Sequence, residues 1–234
     1  MTRQQLSTYP QAQRLLPLPQ QPVTLLEAYD VARPRPADRP WIGLCMISSL
    51  DGSTVVGGDA EGNSRPLSDP TDQQVLLTLR SLADVILVGA STVRRDGYGP
   101  PATPGLRVAV VSRTADFDFD LPLWTSGRAI LLLPEDSVEV PVPSIRAGRG
   151  GIDLATAIAQ IDAEFVQAEG GPSLNGLLTG ADLIDELNLS LSPQFVGGDG
   201  LRVTTNAPPV AHRMHLTHVL EHEGFLYTRY VRDR

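Results

Sequence analysis

The chain has 234 residues, 41% hydrophobic and 20% charged, a composition that excludes a disordered or fibrous protein. A formal net charge of -8 argues against nucleic-acid or anionic-membrane partners, which need a basic face, and no apolar run is long enough to span a bilayer. All 19 basic side chains in the Lys+Arg total are arginine, which excludes lysine Schiff bases and the usual P-loop; the single cysteine, Cys45, excludes an internal disulfide or a multi-thiolate zinc site.

The length fits one large domain. Residues 1–40 read as a proline-rich arm and 41–234 as the domain proper. Met1 to Gln5 offer no signal-peptide core, so a cytoplasmic protein is expected. In the arm, Pro10, Pro17, Pro19, Pro22, Pro34, Pro36 and Pro40 leave room for one short helix near Thr24 to Val31, with Leu15 and Leu16 available for docking. Trp41 to Ile47 is continuously apolar, the pattern of a strand buried on both faces. Ser49, Asp51, Gly52 and Ser53 follow at its end, where binding groups collect in open α/β sheets. The loop Gly57 to Asn63 is glycine-rich enough for a lid.

Val75, Leu76, Leu79 and Leu82 fall at helical spacing, predicting a helix from Asp69 or Thr71 to Leu82. A second strand, Asp84 to Val88, runs into Gly89-Ala90-Ser91-Thr92, a helix start whose hydroxyls and N–H groups suit an anion. Arg107 to Val111 is a third strand, ending in Ser112-Arg113, which would suit a nucleotide 2′-phosphate. Further strands are expected at Ala129 to Leu133 and Ser144 to Arg146, then a helix capped by Asp153. Phe165 to Ala168 leads into Glu169-Gly170-Gly171-Pro172-Ser173-Leu174-Asn175, read as strand, turn and helix. Its two glycines let a ligand lie against bare main chain, with Ser173 as helix cap.

Leu187, Leu189 and Leu191 then alternate, and Arg213 to Val231 reads as a hairpin turning near Glu221 to Gly224. These two features offer edges that a monomer would have to protect, so a homodimer is expected. The four histidines, His212, His215, His218 and His222, do not share one face of an extended chain, and no metal is expected.

Four stretches in one order carry a family resemblance: Ser49-Leu50-Asp51-Gly52, Leu79-Arg80 through to Val88-Gly89, Thr92-Val93 with Asp96, and Glu169 to Leu174. Together they resemble the pyrimidine reductases of riboflavin biosynthesis, over roughly Trp41 to Val231. The resemblance implies a dihydrofolate-reductase-like α/β fold: three α/β/α layers around a mostly parallel sheet with an antiparallel C-terminal hairpin.

It also implies NADPH-dependent reduction of 5-amino-6-(5-phosphoribosylamino)uracil, with hydride delivered to C1 of the opened ribose. Matched residue by residue, Gly89, Ser91 and Thr92 would hold the cofactor phosphates, Ser112 and Arg113 its 2′-phosphate, and Gly170, Gly171, Pro172, Ser173 and Leu174 the pyrophosphate and nicotinamide. Asp51, Asp96 and Glu169 match polar catalytic positions. Ser49, Ser53 and Arg80 match positions around the substrate, Arg80 near its phosphate. Two cations common in the family are missing: Ser53 replaces a lysine, and the loop Arg95 to Pro101 lacks a downstream arginine.

Those departures leave two alternatives, a reductase of a dihydrofolate- or pterin-like substrate and an NADPH-binding homologue without catalysis. Asp72 falls where dihydrofolate reductases carry the carboxylate that grips the pterin. As an alternative, it is a first-turn residue favoured by the helix dipole.

Overall fold

The computed structural model describes residues 11–57 and 63–233. Most of the glycine loop read as a lid, residues 58–62, lies outside the described residues, as does 1–10. One sheet collects all the strands: β1 (Gln11–Leu16), β2 (Gln21–Thr24), β3 (Trp41–Ser48), β4 (Val85–Gly89), β5 (Arg107–Val111), β6 (Ala129–Leu133), β7 (Ser144–Arg146), β8 (Phe165–Ala168), β9 (Glu186–Leu191), β10 (Met214–His222) and β11 (Phe225–Arg232). Their spatial order is β2-β1-β10-β11-β9-β3-β8-β4-β5-β6-β7. From β9 to β7 every neighbour is parallel, whereas β11, β10, β1 and β2 pair antiparallel.

Helices cover both faces: α1 (Leu25–Tyr29), α2 (Pro70–Leu82), α3 (Ala90–Asp96), α4 (Pro122–Thr125), α5 (Leu154–Ala159) and α6 (Pro172–Gly180). Alternation along β3 explains the layering. Ile42 and Leu44 pack under α5 and α6 through Leu154, Ile158, Leu174 and Leu178. Trp41, Cys45 and Ile47 point the other way, to Leu25 and Tyr29 of α1 and Val75 and Leu79 of α2. The fold is therefore the expected three-layer, mostly parallel α/β sheet with antiparallel C-terminal strands.

The arm departs from expectation. Its helix forms, opened by a capping box in which Thr24 and Glu27 satisfy each other's N–H groups. The preceding residues, however, add two strands to the sheet, with β1 pairing β10. Pro22 is tolerated because β2 is the outermost strand among the described residues and needs no donor on its outer side there. Docking uses Ala12, Val23, Leu25 and Tyr29, all buried, rather than Leu16, which is 36% exposed.

β9 also differs in a way that matters for the site. It lies between β11 and β3, so it is no edge, and the case for dimerisation drawn from it falls away. Its polar residues are the buried ones: Glu186, Asn188 and Ser190 face inward, while Leu187, Leu189 and Leu191 are only half-buried.

A charged cluster explains the inversion. The Glu186 carboxylate accepts from Arg33 Nε (3.1 Å) and Nη2 (3.0 Å), Arg229 Nη2 (2.7 Å), Trp41 Nε1 (3.2 Å) and Asn188 Nδ2 (2.9 Å). Burial opposes its charge, but the arginines win and hold its pKa down to about 2.

His218 lies beside this cluster, edge-on to Tyr29 with ring centroids 4.8 Å apart. Burial, reinforced by the Arg229 charge, pushes its pKa down to about 4. Below its ordinary value near 6.5 the unfolded imidazole takes a proton that the folded one refuses until about 4. Stability is therefore expected to fall with pH through that window, by on the order of 2 to 3 kcal/mol. Urea unfolding of the wild type and of His218→Phe at about pH 7 and about pH 4.5 checks this. An equal pH slope in the two proteins would refute it.

Candidate active site

The C-terminal ends of β3, β4 and β8, with the loops and helices that follow them, enclose a cavity of about 370 Å³. Its wall brings together Asp72, Arg80, Thr92, Asp96, Glu169, Gly171 and Pro172 from the sequence-derived set. α2 contributes one stripe. Asp69 caps the helix by accepting from Asp72 N, Val75 and Leu79 anchor it in the core, and Asp72, Leu76 and Arg80, spaced four apart, line the cavity.

Across from α2, the Glu169 carboxylate at the end of β8 is gripped from two directions. Arg80 Nε and Nη2 donate to Oε1 and Oε2 at 2.7 and 2.6 Å. Tyr98 donates its hydroxyl to Oε2 at 2.8 Å and accepts from Arg80 Nη2 at 2.7 Å. Burial, then the Glu169 charge, pushes the Tyr98 phenol above its ordinary pKa, so it stays protonated. For Arg80, burial works against the charge, but hydrogen bonds to Glu169 outweigh it and raise its pKa. Gly97 delivers Tyr98 to this position: it ends α3 in a left-handed conformation (φ 59°), which turns the chain back over the cavity.

Asp72 stands apart from this network. It accepts from the Ser68 hydroxyl at 2.6 Å and from Ser190 on the polar face of β9. Burial raises its pKa above the ordinary carboxylate value despite both hydroxyls.

The Gly170-Gly171 turn presents main chain to the cavity. Gly170 has φ 86°, and the peptide joining the pair is cis. A Cβ on Gly171 would lie 3.3 Å from Thr92 Oγ1. Gly89 N donates to Gly170 O at 2.9 Å, which locks the turn to the end of β4. Gly171 is the N-cap of α6 and has no side-chain cap, so the first N–H groups of that helix are open to an anion. Ser173 is therefore not the cap: it sits one residue into the helix, exposed. Leu174 belongs to the core. Likewise Gly89 precedes α3, with exposed Ser91 and buried Thr92 in its first turn.

Other sequence candidates lie outside the cavity wall. Asp51 is exposed and accepts from Ser49 Oγ, Gly197 N and Val196 N, which lower its pKa, the serine most. Ser49 Oγ accepts from Ser53 N, and Ser53 Oγ donates to Val55 O. These three residues build a turn and moor the 196–197 segment to it. Ser112 is buried and accepts from Ala115 N, while Arg113 is exposed beside it. Sequence reasoning missed Tyr98, Arg65, Ser68 and Ser190. Only an aromatic between two glycines, Gly97-Tyr98-Gly99, offered any signal.

The model of one protein family, described as the RibD C-terminal domain, matches residues 40–223. The chain belongs to the RibD C-terminal domain family.

It is 28% identical over 183 residues to a 2,5-diamino-6-ribosylamino-4(3H)-pyrimidinone 5′-phosphate reductase of Methanothermobacter thermautotrophicus, covering 70% of this chain and 82% of the relative. It is 25% identical over 194 residues to the riboflavin biosynthesis protein RibD of Escherichia coli, covering 71% of this chain but only 52% of that protein. The chain thus spans about half the length of that relative. Among solved structures, a pyrimidine reductase-like protein from Corynebacterium diphtheriae superposes with TM-score 0.76 and 22% identity, over 91% of this chain and 100% of that one. That likeness is one of fold. The site residues of this member of the RibD C-terminal domain family rest on the geometry above.

Proposed function

We propose that this chain is an NADPH-dependent reductase of a 6-(5-phosphoribosylamino)pyrimidine, of the kind represented by 5-amino-6-(5-phosphoribosylamino)uracil. One observation carries the reading: bare Gly171 main chain and an uncapped helix start face the Arg80–Glu169–Tyr98 network across a single cavity. Gly171, Pro172, Thr92 and the first N–H groups of α6 fit the cofactor, because a side chain at Gly171 would occupy its space. Exposed Arg113 would select the 2′-phosphate. NADPH, when bound, supplies the hydride for C1 of the opened ribose.

The protein's own task is to hold the substrate and handle one proton. Opening the ribose breaks C1–O4 and forms C1=N, with the proton of the linking N–H passing to O4. Completing the reduction adds hydride to C1 and a proton to the nitrogen. Tyr98 donates its phenolic hydrogen to Glu169 Oε2 and stays protonated while Arg80 holds the same carboxylate, so Glu169 is the group that can take a proton at the cavity wall and return it, with Tyr98 and Arg80 fixing its position. Single-turnover oxidation, followed by NADPH absorbance with the phosphoribosylaminopyrimidine, tests the reading. NADH serving equally well would remove the role of Arg113.

Asp72 favours a second reading, reduction of a pterin-like substrate. A carboxylate in a cavity wall can accept from the 2-amino group and adjacent ring N–H of a pterin. If so, dihydrofolate is turned over, and Asp72→Asn should lower its kcat/KM by about tenfold or more. NADPH oxidation with the phosphorylated pyrimidine alone would discard this reading.

We also propose that two chains associate. Met214 to His218 on β10 lie beyond the register that β1 covers, among the described residues, and Leu216 there is 40% exposed. Sedimentation should show twice the chain mass at micromolar concentration. A strict monomer would refute it.

A further inference from the structure

Among the described residues, six with charged side chains line the cavity: Arg65, Asp72, Arg80, Arg95, Asp96 and Glu169. Two pairs cancel, Arg80 with Glu169 at 2.6 Å and Arg95 with Asp96 at 2.8 Å. What remains is one anion and one cation. Asp72 is answered by hydroxyls alone, while the Arg65 guanidinium has no hydrogen bond or ion pair among the described residues.

The turn that carries Arg65 is held firmly. Arg65 N donates to Asn63 Oδ1 at 2.7 Å, Pro66 fixes the next φ, and Leu67 is fully buried. Gln194 Nε2 donates to Pro66 O at 2.9 Å, which ties the turn to the loop after β9. A guanidinium with no partner among the described residues, carried on a held backbone beside a ligand cavity, is available to an anion. Arg80, which the family resemblance places near the phosphate, is the poorer candidate. Glu169 takes the Nε–Nη2 edge of its guanidinium and Tyr98 takes a further bond from Nη2, which leaves Nη1 but no open bidentate edge for a phosphate.

We propose that Arg65 anchors the anionic group of the substrate, the 5′-phosphate of the phosphoribosylaminopyrimidine. It thereby stands in for the two cations that this chain lacks relative to its family. This rests on the reductase reading for the identity of the substrate. The division of labour then follows from charge: the anion lies at Arg65 on the cavity lip, and the donor edge of the ring lies at Asp72.

The test is equilibrium binding of ribose 5-phosphate, ribose and NADPH to the wild type, Arg65→Ala and Arg65→Lys. Arg65→Ala should weaken ribose 5-phosphate at least about tenfold, with ribose and NADPH unchanged and partial recovery in Arg65→Lys. In turnover the same variant should raise KM and leave kcat in place. An equal loss of NADPH affinity would give the site to the cofactor and overturn the proposal. So would unchanged ribose 5-phosphate binding in Arg65→Ala, or no saturable binding to the wild type. If Arg65-dependent binding holds but NADPH is never oxidised with the phosphorylated pyrimidine, the anchor stands and the reductase reading falls.

Discussion

Gly171→Val should cost at least about tenfold in NADPH affinity, or ~1.4 kcal/mol, while leaving the protein folded. The backbone at Gly171 (φ -77°, ψ -173°) is open to any L-residue, so the substitution does not have to break the turn. Its Cβ would lie 3.3 Å from Thr92 Oγ1, and the two methyls beyond it would add bulk at a residue that lines the cavity. They would fill the space assigned to the pyrophosphate and nicotinamide. A misfolded variant would lose binding trivially, so the measurement pairs cofactor titration with circular dichroism and a cooperative thermal transition. A folded variant that binds NADPH normally would reduce the turn to a connection and remove the cofactor site from this cavity. The pterin reading would fall with it, because both reductions need the same hydride donor.

Glu186→Gln should be the most destabilising single change away from the cavity. The side chains of Arg33 and Arg229 are each 8% exposed and share one carboxylate that is fully buried. Removing its charge strands two guanidinium groups in a medium that solvates them poorly, at a cost of about 3 to 5 kcal/mol. For a chain of this size that corresponds to a fall in Tm of roughly 6 to 20 °C. The pH dependence has a definite sign. The folded pKa of Glu186 is depressed, so its contribution is present above about 4.5 and is lost as pH falls towards about 2. Stability within about 1 kcal/mol of wild type in Glu186→Gln would show the cluster to be energetically idle. Glu186, Arg33 and Arg229 do not line the cavity, so activity per folded molecule should persist below the new melting point.

The elements nearest the cavity were legible because their information is local. The apolar run of β3, the helical spacing of α2 with Asp69 at its start, and the strand-turn-helix of Phe165 to Asn175 each follow from a few consecutive residues. Family motifs then placed Arg80, Thr92, Asp96 and Glu169 at one site, and the cavity wall contains all four. Ser49, Asp51 and Ser53 show the limit of that reasoning. Their position after β3 is that of binding groups, but hydrogen bonds among themselves and to the 196–197 segment occupy them with building a turn.

The sequence by itself determined the fold class, the order of strands and helices from β3 onward in outline, the Gly-Gly turn and part of the polar wall, because hydrophobic period and turn chemistry act over a handful of residues. Only the tertiary structure decided which face of β9 is buried. Alternation in Glu186 to Leu191 is the same whichever side is inward, and Arg33, 153 positions away, and Arg229, 43 positions away, draw the polar side in. Tertiary structure alone also cancelled the charges of Arg80 and Arg95 against Glu169 and Asp96 and left those of Arg65 and Asp72 without an ion pair among the described residues. A sequence records which charges exist. Whether a charge is free for a ligand depends on what folding brings within about 4 Å of it, and the Coulomb energy that settles the matter grows as that distance shrinks.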